Sequence, residues 1–360
     1  MKPMKPMKPM KPMKPLLAMA ACGLALGMMA TTGLAQVTIP TVTVGDVGNA
    51  ADPLNSRSVP GIGAVSYVYN IAVTEVNLFQ YTAFLNAVAA TDTYNLYNTN
   101  MGTNANIAGI TRSGSSGSYT YAVSGSGNRP VTYVSWFDAA RFANWVANGQ
   151  PTGAQGNATT ENGAYTLNGA TSGVGFTKNA INPNTSSTTT WWIPSENEWY
   201  KAAYYDPGAG GPSDDYWLYA TRSDSAPGNE IGAVANQANY RAGDYATTPG
   251  NNTYSSSQNY LTDGGAFSSS GSYYGTFDQG GNVWEWNDAV IAGSSRGLRG
   301  GSWSNDDDFL QSSFRNSTTP TLELNLVGFR VASVPEPSTA VLMLLGGGAW
   351  LLWKRRKVTL

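Results

Sequence analysis

Cysteine and histidine are almost absent from this chain. Among 360 residues it has one cysteine, Cys22, and no histidine. Cys22 lies in an apolar run near the N terminus, so residues 36–360 cannot form a disulfide. A fold without disulfides must gain its stability from a large apolar core. The same absence excludes thiol and imidazole chemistry, including Ser-His-Asp catalysis, from this part of the chain.

The N-terminal segment has the pattern of an export signal. Five copies of Met-Lys-Pro precede the apolar run 16–30, and small residues follow, ending at Ala35. Positive charge, an apolar stretch and small residues in this order predict a secretory signal peptide over 1–35, cut before Gln36 by the export machinery. An alternative is a lipoprotein acylated on Cys22.

The C-terminal segment has a second signal pattern. Val334-Pro335-Glu336-Pro337 is followed by the apolar stretch 340–353 and by four basic residues, 354–357. The apolar stretch is shorter than the roughly 20 residues that span a bilayer comfortably. The whole segment, 334–360, resembles the PEP-CTERM sorting tail. That resemblance implies recognition by an exosortase and removal of the tail. A permanent transmembrane anchor is the alternative.

Charge is divided unevenly along the chain. All 23 acidic residues lie between Asp46 and Glu336, whereas nine of the 21 basic residues lie in the two terminal segments. Residues 36–336 therefore have 12 basic residues against 23 acidic ones, a net charge near −11. This balance excludes nucleic-acid binding, which needs basic residues to neutralise phosphates, and favours hard cations such as calcium.

Three segments carry helix signals in a chain rich in glycine and aromatic residues. The strand-like run 65–73 is followed by a predicted helix that begins at Thr74 and buries Val76, Phe79, Ala83 and Ala87. Two further helices are predicted from capping pairs, the second beginning at Ser135 with Asp138 and the third at Ser195 with Glu198.

The remaining segments suggest loops and short strands. The Gly/Ser/Thr/Asn-rich stretches 102–128, 149–190 and 206–236 are predicted to be long loops outside the core. Three short aromatic runs punctuated by glycine, at 281–286, 299–303 and 328–333, are typical of paired strands.

These segments in order resemble the sulfatase-modifying-factor family, which includes the formylglycine-generating enzyme. The resemblance is carried by TEVNLFQYTAFLNAV, RPVTYVSWFDAARFANW, IPSENEWYKAA, GNVWEW, RGGSW and GFRVA. It implies an α+β fold, a compact single domain of low regular-structure content that is C-type-lectin-like. The expected organisation is an N-terminal segment over 36–64 and the family domain over 65–333.

The resemblance also implies where redox-metal ligands would lie. Family enzymes bind copper through two cysteines placed shortly after RGGS, and these positions correspond to Asn305 and Leu310 here. Neither can supply the thiolate that Cu(I) prefers. Related iron-dependent sulfoxide synthases use histidines, which this chain lacks. We therefore expect neither copper nor iron and no catalysis. The alternative is a metal-dependent oxidase acting on protein cysteine.

Calcium ligands are the metal feature that the resemblance preserves. The family's structural calcium site corresponds to the side chains of Asp278 and Glu285 and the carbonyl oxygens of Gly281 and Val283. Such oxygen ligands suit calcium. The alternative is that Glu285 forms a salt bridge or a cap and that Asp278 forms a turn.

A second family calcium site would begin at Asn239 and the carbonyl of Tyr240. Its remaining ligands cannot be assigned, because the sequence of the loop 244–263 departs too far from the family pattern.

Other candidate residues have simpler explanations. Asp306-Asp307-Asp308 could bind a cation, but a solvated charged turn is the favoured interpretation. Trp303 could line a ligand groove, whereas Trp284 and Trp286 share one strand face and are predicted to pack in the core. Three arginines are predicted to pair internally with carboxylates such as Glu285 or Glu323, namely Arg299, Arg315 and Arg330.

The sequence therefore predicts an exported, non-catalytic and calcium-stabilised module. We expect it at the cell surface or outside the cell, as a monomer, with a transient or permanent C-terminal membrane anchor. Its long loops on a rigid scaffold suggest that it binds a glycan, a matrix polymer or another protein.

Overall fold

The computed structural model describes residues 36–53, 61–209 and 215–335. The predicted signal peptide (1–35), with the alternative acylation site Cys22, lies outside these residues. So do residues 336–360 of the predicted sorting tail. None of the helices in the described part of the chain is long and apolar enough to span a bilayer.

Short helices and strands alternate along the described chain. They are β1 (Thr41–Val44), β2 (Tyr69–Ala72), α1 (Leu78–Val88), α2 (Asn100–Thr103), β3 (Ile110–Ser113), β4 (Thr120–Val123), α3 (Trp136–Ala147), β5 (Ile181–Asn182), β6 (Ser187–Thr188), β7 (Trp191–Trp192), α4 (Glu196–Tyr204), β8 (Trp284–Ile291), β9 (Ser295–Arg299), β10 (Asn316–Thr318), β11 (Val327–Phe329) and β12 (Ala332–Ser333). A π-helical turn covers Asn157–Glu161 and a 3-10 turn covers Asp307–Leu310.

Two four-stranded sheets organise the fold. One has the order β1-β2-β12-β7, and its strands are antiparallel. The other has the order β10-β9-β8-β11, in which β11 runs parallel to β8. The 281–286 and 328–333 runs therefore contribute paired strands, and the 299–303 run contributes the end of β9 and a turn. The mixed architecture with much irregular chain confirms the predicted α+β fold.

The N-terminal segment is part of the same sheet as the last strand. β1, from within 36–64, pairs with β2 in the register Thr41 to Ala72. Ile39 and Val44 are buried in the main apolar cluster, and Ile62 is buried in a second one. Residues on both sides of position 65 thus share one fold.

Capping residues set where the helices begin. Ser135 and Asp138 form both halves of a capping box on α3, and Ser195 and Glu198 do the same on α4, as predicted. The predicted start of the first helix at Thr74 is wrong. Asn77 caps α1, because its side chain accepts a hydrogen bond from the backbone N–H of Gln80.

The predicted buried face of the first helix is also wrong in part. The carbonyl of Val76 accepts from the N–H of Val131 and so is not bonded to the N–H of Gln80, which leaves Val76 outside the helix. Phe79 is 55% exposed. The buried side of α1 is formed instead by Leu78, Tyr81, Thr82, Phe84, Leu85, Ala87 and Val88.

Aromatic side chains fill the core between the helices and the sheets. Phe142 of α3 packs edge-on against Phe84 and Phe329, at centroid distances of 5.4 Å in both pairs. Trp284 and Trp286 are both buried, which confirms their predicted core role. Their burial supplies the apolar stabilisation that a disulfide-free chain requires.

The loops enter the core more deeply than predicted. Ile110, Tyr121 and Tyr165 belong to the main buried cluster, so the expectation that 102–128 and 149–190 lie outside it was wrong. Buried side chains satisfy the loop backbone: Asn144 of α3 donates to the carbonyls of Thr160 and Tyr165. Because these polar groups are paired, irregular chain can be buried without a large penalty.

Candidate functional site

The turn before β8 holds the first set of predicted calcium ligands. Asp278, Gly281 and Asn282 all have positive φ angles, of 60°, 91° and 56°. A Cβ on Gly281 would lie 2.4 Å from the carbonyl oxygen of Asn239, so only glycine fits there. The N–H of Asn282 donates to that same oxygen at 2.7 Å. The turn is therefore held tightly against Asn239, the first residue of the second predicted site.

Glu285 forms a buried ion pair. Its carboxylate accepts from Arg330 through Nε at 2.6 Å and Nη2 at 2.7 Å, and both side chains are fully buried. Trp199 donates its indole N–H to the same carboxylate at 2.8 Å. The alternative role for Glu285, a salt bridge, is thus present. A carboxylate oxygen has more than one lone pair, so this pairing does not by itself prevent metal binding.

Glu75 is a buried acid that our sequence analysis did not select. It follows β2, is 2% exposed, and neither of its carboxylate oxygens has a hydrogen-bond partner in the described structure. Burial, followed by the charges of Asp278 and Glu285, raises its pKa well above the usual value. A charged residue between Val73 and Val76, just after the strand-like run 65–73, was the available signal.

Three carboxylates surround one guanidinium at this position. Glu75, Asp278 and Glu285 interact with one another and with Arg330, which leaves two negative charges uncompensated when all are ionised. Asp278 accepts a hydrogen bond from the Gly265 N–H at 2.7 Å, and burial raises its pKa to about 6. Buried carboxylates of this kind must bind either protons or a cation.

The donor chemistry matches calcium only if the backbone takes part. Within residues 36–53, 61–209 and 215–335, no group of three or more His, Cys, Asp or Glu side chains is arranged to hold a metal by itself. The carbonyl oxygens of Gly281 and Val283 would have to complete the oxygen ligands. A cavity of about 10 Å³, large enough for about one water molecule, lies beside Asp278 and is lined by polar residues such as Thr276 and Gln279 together with Phe267 and Phe277.

The second predicted calcium site adjoins the first. The Asn239 amide donates to the Tyr260 carbonyl at 2.9 Å and to the Asn282 amide oxygen at 3.0 Å. The Tyr240 side chain is buried and its hydroxyl donates to the Pro227 carbonyl. Asn282 therefore joins the two predicted sites, while the Asn239 side chain serves to connect three loops.

The two positions that would hold redox-metal cysteines have structural roles. The amide oxygen of Asn305 accepts from the Ser302 hydroxyl at 2.6 Å, and its carbonyl accepts from the N–H of Arg241 at 2.9 Å. Leu310 is 1% exposed and packs in an apolar cluster with Tyr219, Ala238 and Tyr240. Asn305 therefore closes a turn, and Leu310 fills an apolar cluster.

The remaining candidates are accounted for by packing and pairing. Trp303 is buried and stacks on Tyr260 at a centroid distance of 4.6 Å, so it does not line an open groove. Asp306 is exposed and pairs with Arg241 at 2.7 Å, as expected of a charged turn. Arg299 and Arg315 both pair with Glu196, which confirms internal pairing but with a different acid from those predicted. Glu323 instead accepts from Asn98.

Comparison with known proteins adds two family matches. Residues 40–334 match the model of the sulfatase-modifying factor enzyme 1-like domain, and residues 333–357 match the PEP-CTERM protein-sorting motif. No curated protein matches the chain.

Three solved structures resemble the described fold. CarF is 19% identical in sequence to this protein, with a TM-score of 0.45. The match covers 83% of this chain and 99% of the CarF chain. Variable protein 1 of Treponema denticola has 18% identity and a TM-score of 0.44, covering 84% and 98%. PvdO of Pseudomonas aeruginosa has 17% identity and a TM-score of 0.42, covering 82% and 92%.

Proposed function

The chain belongs to the sulfatase-modifying factor enzyme 1-like family, and from this premise we propose that it is a non-catalytic, calcium-stabilised binding module. The PEP-CTERM motif indicates export and exosortase-mediated sorting, with association at the surface or membrane. The proposal thus concerns what the exported domain does once it has been sorted.

The observation that carries the proposal is the identity and environment of residues 305 and 310. Asn305 closes a turn by bonding to Ser302, and Leu310 fills an apolar cluster. An amide and an aliphatic side chain cannot replace the two thiolates that hold Cu(I). With neither cysteine nor histidine in residues 36–360, this chain has no soft or imidazole ligand to offer in their place.

Calcium is supported by the charge around Arg330. Asp278 and Glu285 would hold the ion together with the carbonyls of Gly281 and Val283, and the nearby Glu75 would add negative charge to the site. Bound calcium would supply the positive charge that the single guanidinium of Arg330 cannot supply alone. Its role would be to fix the turn before β8 against the loop that contains Asn239.

The binding role is supported by the surface. Exposed aromatic and branched apolar side chains lie on the long loops, among them Ile231, Tyr254 and Tyr273. Such residues on loops of a rigid scaffold are a common basis for recognition. The proposed ligand is a glycan, a matrix polymer or a protein encountered after export.

Metal content and activity of the purified exported protein test the proposal together. We expect about one bound calcium per chain in the wild-type protein. Asp278→Asn should lose most of this calcium. The control variant Asp215→Asn, which changes an exposed acid, should lose none. A cysteine-containing peptide should remain unconverted, with no oxygen consumed. Stoichiometric copper or iron, or aldehyde formation on the peptide, would establish an enzyme instead.

A further inference from the structure

A groove on the surface lies where the described chain ends. It has a volume of about 280 Å³ and is lined by Tyr67, Lys178, Thr188, Trp192 and Val334, among others. The Lys178 ammonium sits 3.8 Å from the centroid of the Trp192 ring. Within the described residues, no carboxylate lies at ion-pair distance from Lys178. The groove therefore combines an aromatic wall with an available positive charge.

The last strand leads directly along this groove. β12 pairs with β7 in antiparallel register, with Ala332 opposite Trp192 and Ser333 opposite Trp191. The ladder continues past the strand, because the N–H of Val334 donates to the carbonyl of Thr190 at 3.0 Å. Two more residues in the same register would place position 336 opposite Thr188, another residue of the groove wall.

The backbone N–H and C=O groups of residues 188–190 point in the directions that such an extension needs. The N–H of Thr189 donates to the Ala180 carbonyl at 3.1 Å, on the β5 side. Backbone groups alternate sides along an extended strand, so those of Thr188 face the same side as those of Thr190, toward the C-terminal chain. In the described structure this edge is paired by β12 and Val334 only as far as Thr190.

The proline positions fit this register. Pro335 and Pro337 would lie opposite Thr189 and Ser187, where the antiparallel ladder needs no N–H from the C-terminal chain. Glu336, which has an N–H, would lie at the position that needs one. Its side chain would share a face with Val334 and Trp192, the face on which Lys178 lies.

We propose that the Val-Pro-Glu-Pro motif docks on its own domain. Residues 335–337 extend the sheet along 187–190, and the Glu336 carboxylate pairs with the Lys178 ammonium in the groove. The domain then holds the sorting motif in an extended form next to its last strand. The motif must leave this edge before another protein can bind it as an extended peptide.

Disulfide trapping in the full-length chain tests this register. On a Cys22→Ser background, the Thr188→Cys/Glu336→Cys pair has no competing thiol. The matched control is Ser187→Cys/Glu336→Cys. It shifts the first cysteine from exposed position 188 to exposed position 187, on the opposite face of the strand. Proteins purified in detergent with the tail intact are mildly oxidised, and the cross-linked peptide is quantified by mass spectrometry.

The expected result is a disulfide between positions 188 and 336 that forms at least tenfold faster than the control. On a second pair that keeps Glu336, Ser187→Cys/Pro337→Cys, Lys178→Glu should slow the cross-link severalfold, whereas Lys178→Arg should not. Equal rates for the first pair and its control, or no cross-link in either, would overturn the proposal and assign the groove to a different ligand. Thermal unfolding of the reduced variants verifies that they fold.

Discussion

At the scale of single residues, the burial of Glu75 is the feature that most needs a positive partner. Both of its oxygens are without hydrogen bonds in the described structure, and Asp278 and Glu285 add negative charge nearby. Arg330 is already held by Glu285. An ionised Glu75 would therefore be strongly unfavourable in the absence of a cation.

Replacing the Glu75 carboxylate by an amide should make the stability of the protein largely independent of calcium. We expect Glu75→Gln to raise the melting temperature by a few degrees in chelator, because the fold no longer has to bury or neutralise a carboxylate, and to abolish most of the gain from calcium. Thermal unfolding with and without calcium measures both effects.

Glu230→Gln, at an exposed site, provides the control for the loss of one negative charge. A Glu75→Gln protein that is less stable in chelator and still gains the full increment from calcium would show that Glu75 does not contribute to the proposed calcium site.

At the scale of elements, the Arg330–Glu285 pair connects the two sheets. Glu285 lies on β8, opposite Gly328 of β11, and Arg330 lies between β11 and β12. Its guanidinium also donates to the carbonyls of Ala72, at the end of β2, and Phe277. One side chain thus ties together strands from the beginning and the end of the domain.

Removal of Arg330 should destabilise the protein whether or not calcium is present. Arg330→Met leaves three carboxylates without their guanidinium partner, so we expect a loss of about 3–5 kcal/mol in urea unfolding, the usual cost of breaking a buried pair. The exposed pair Arg241–Asp306 is the control. Arg241→Met should cost less than about 1 kcal/mol. Similar costs for the two variants would contradict this role for Arg330.

The elements that could be predicted from the sequence are those defined by local chemistry. Ser135 with Asp138 and Ser195 with Glu198 fix the starts of α3 and α4 through groups three residues apart. The start of α1 was misplaced because the bond that occupies the Val76 carbonyl comes from Val131, which is distant in the sequence. The role of Glu75 was missed for the same reason, since its neighbours Asp278 and Glu285 are brought to it only by the fold.

At the scale of the whole molecule, the buried carboxylates make stability depend on pH. Burial is the main cause that raises the pKa of Asp278 to about 6 and the pKa values of Asp138 and Asp288 to about 7, from 3.8. The folded protein therefore keeps protons that the unfolded chain has already lost. Each such group favours folding at low pH, and its contribution is lost as the pH rises from about 4 to about 7.

Calcium should oppose this loss, because it binds the ionised carboxylates. In chelator we expect the free energy of unfolding to be larger at pH 5 than at pH 8. With calcium the difference should shrink, so that the increment from calcium grows as the pH rises. Urea unfolding at several pH values, with and without calcium, measures both trends. A chelated protein whose stability increases from pH 5 to pH 8 would show that the buried acids are ionised and paired in the fold without any metal.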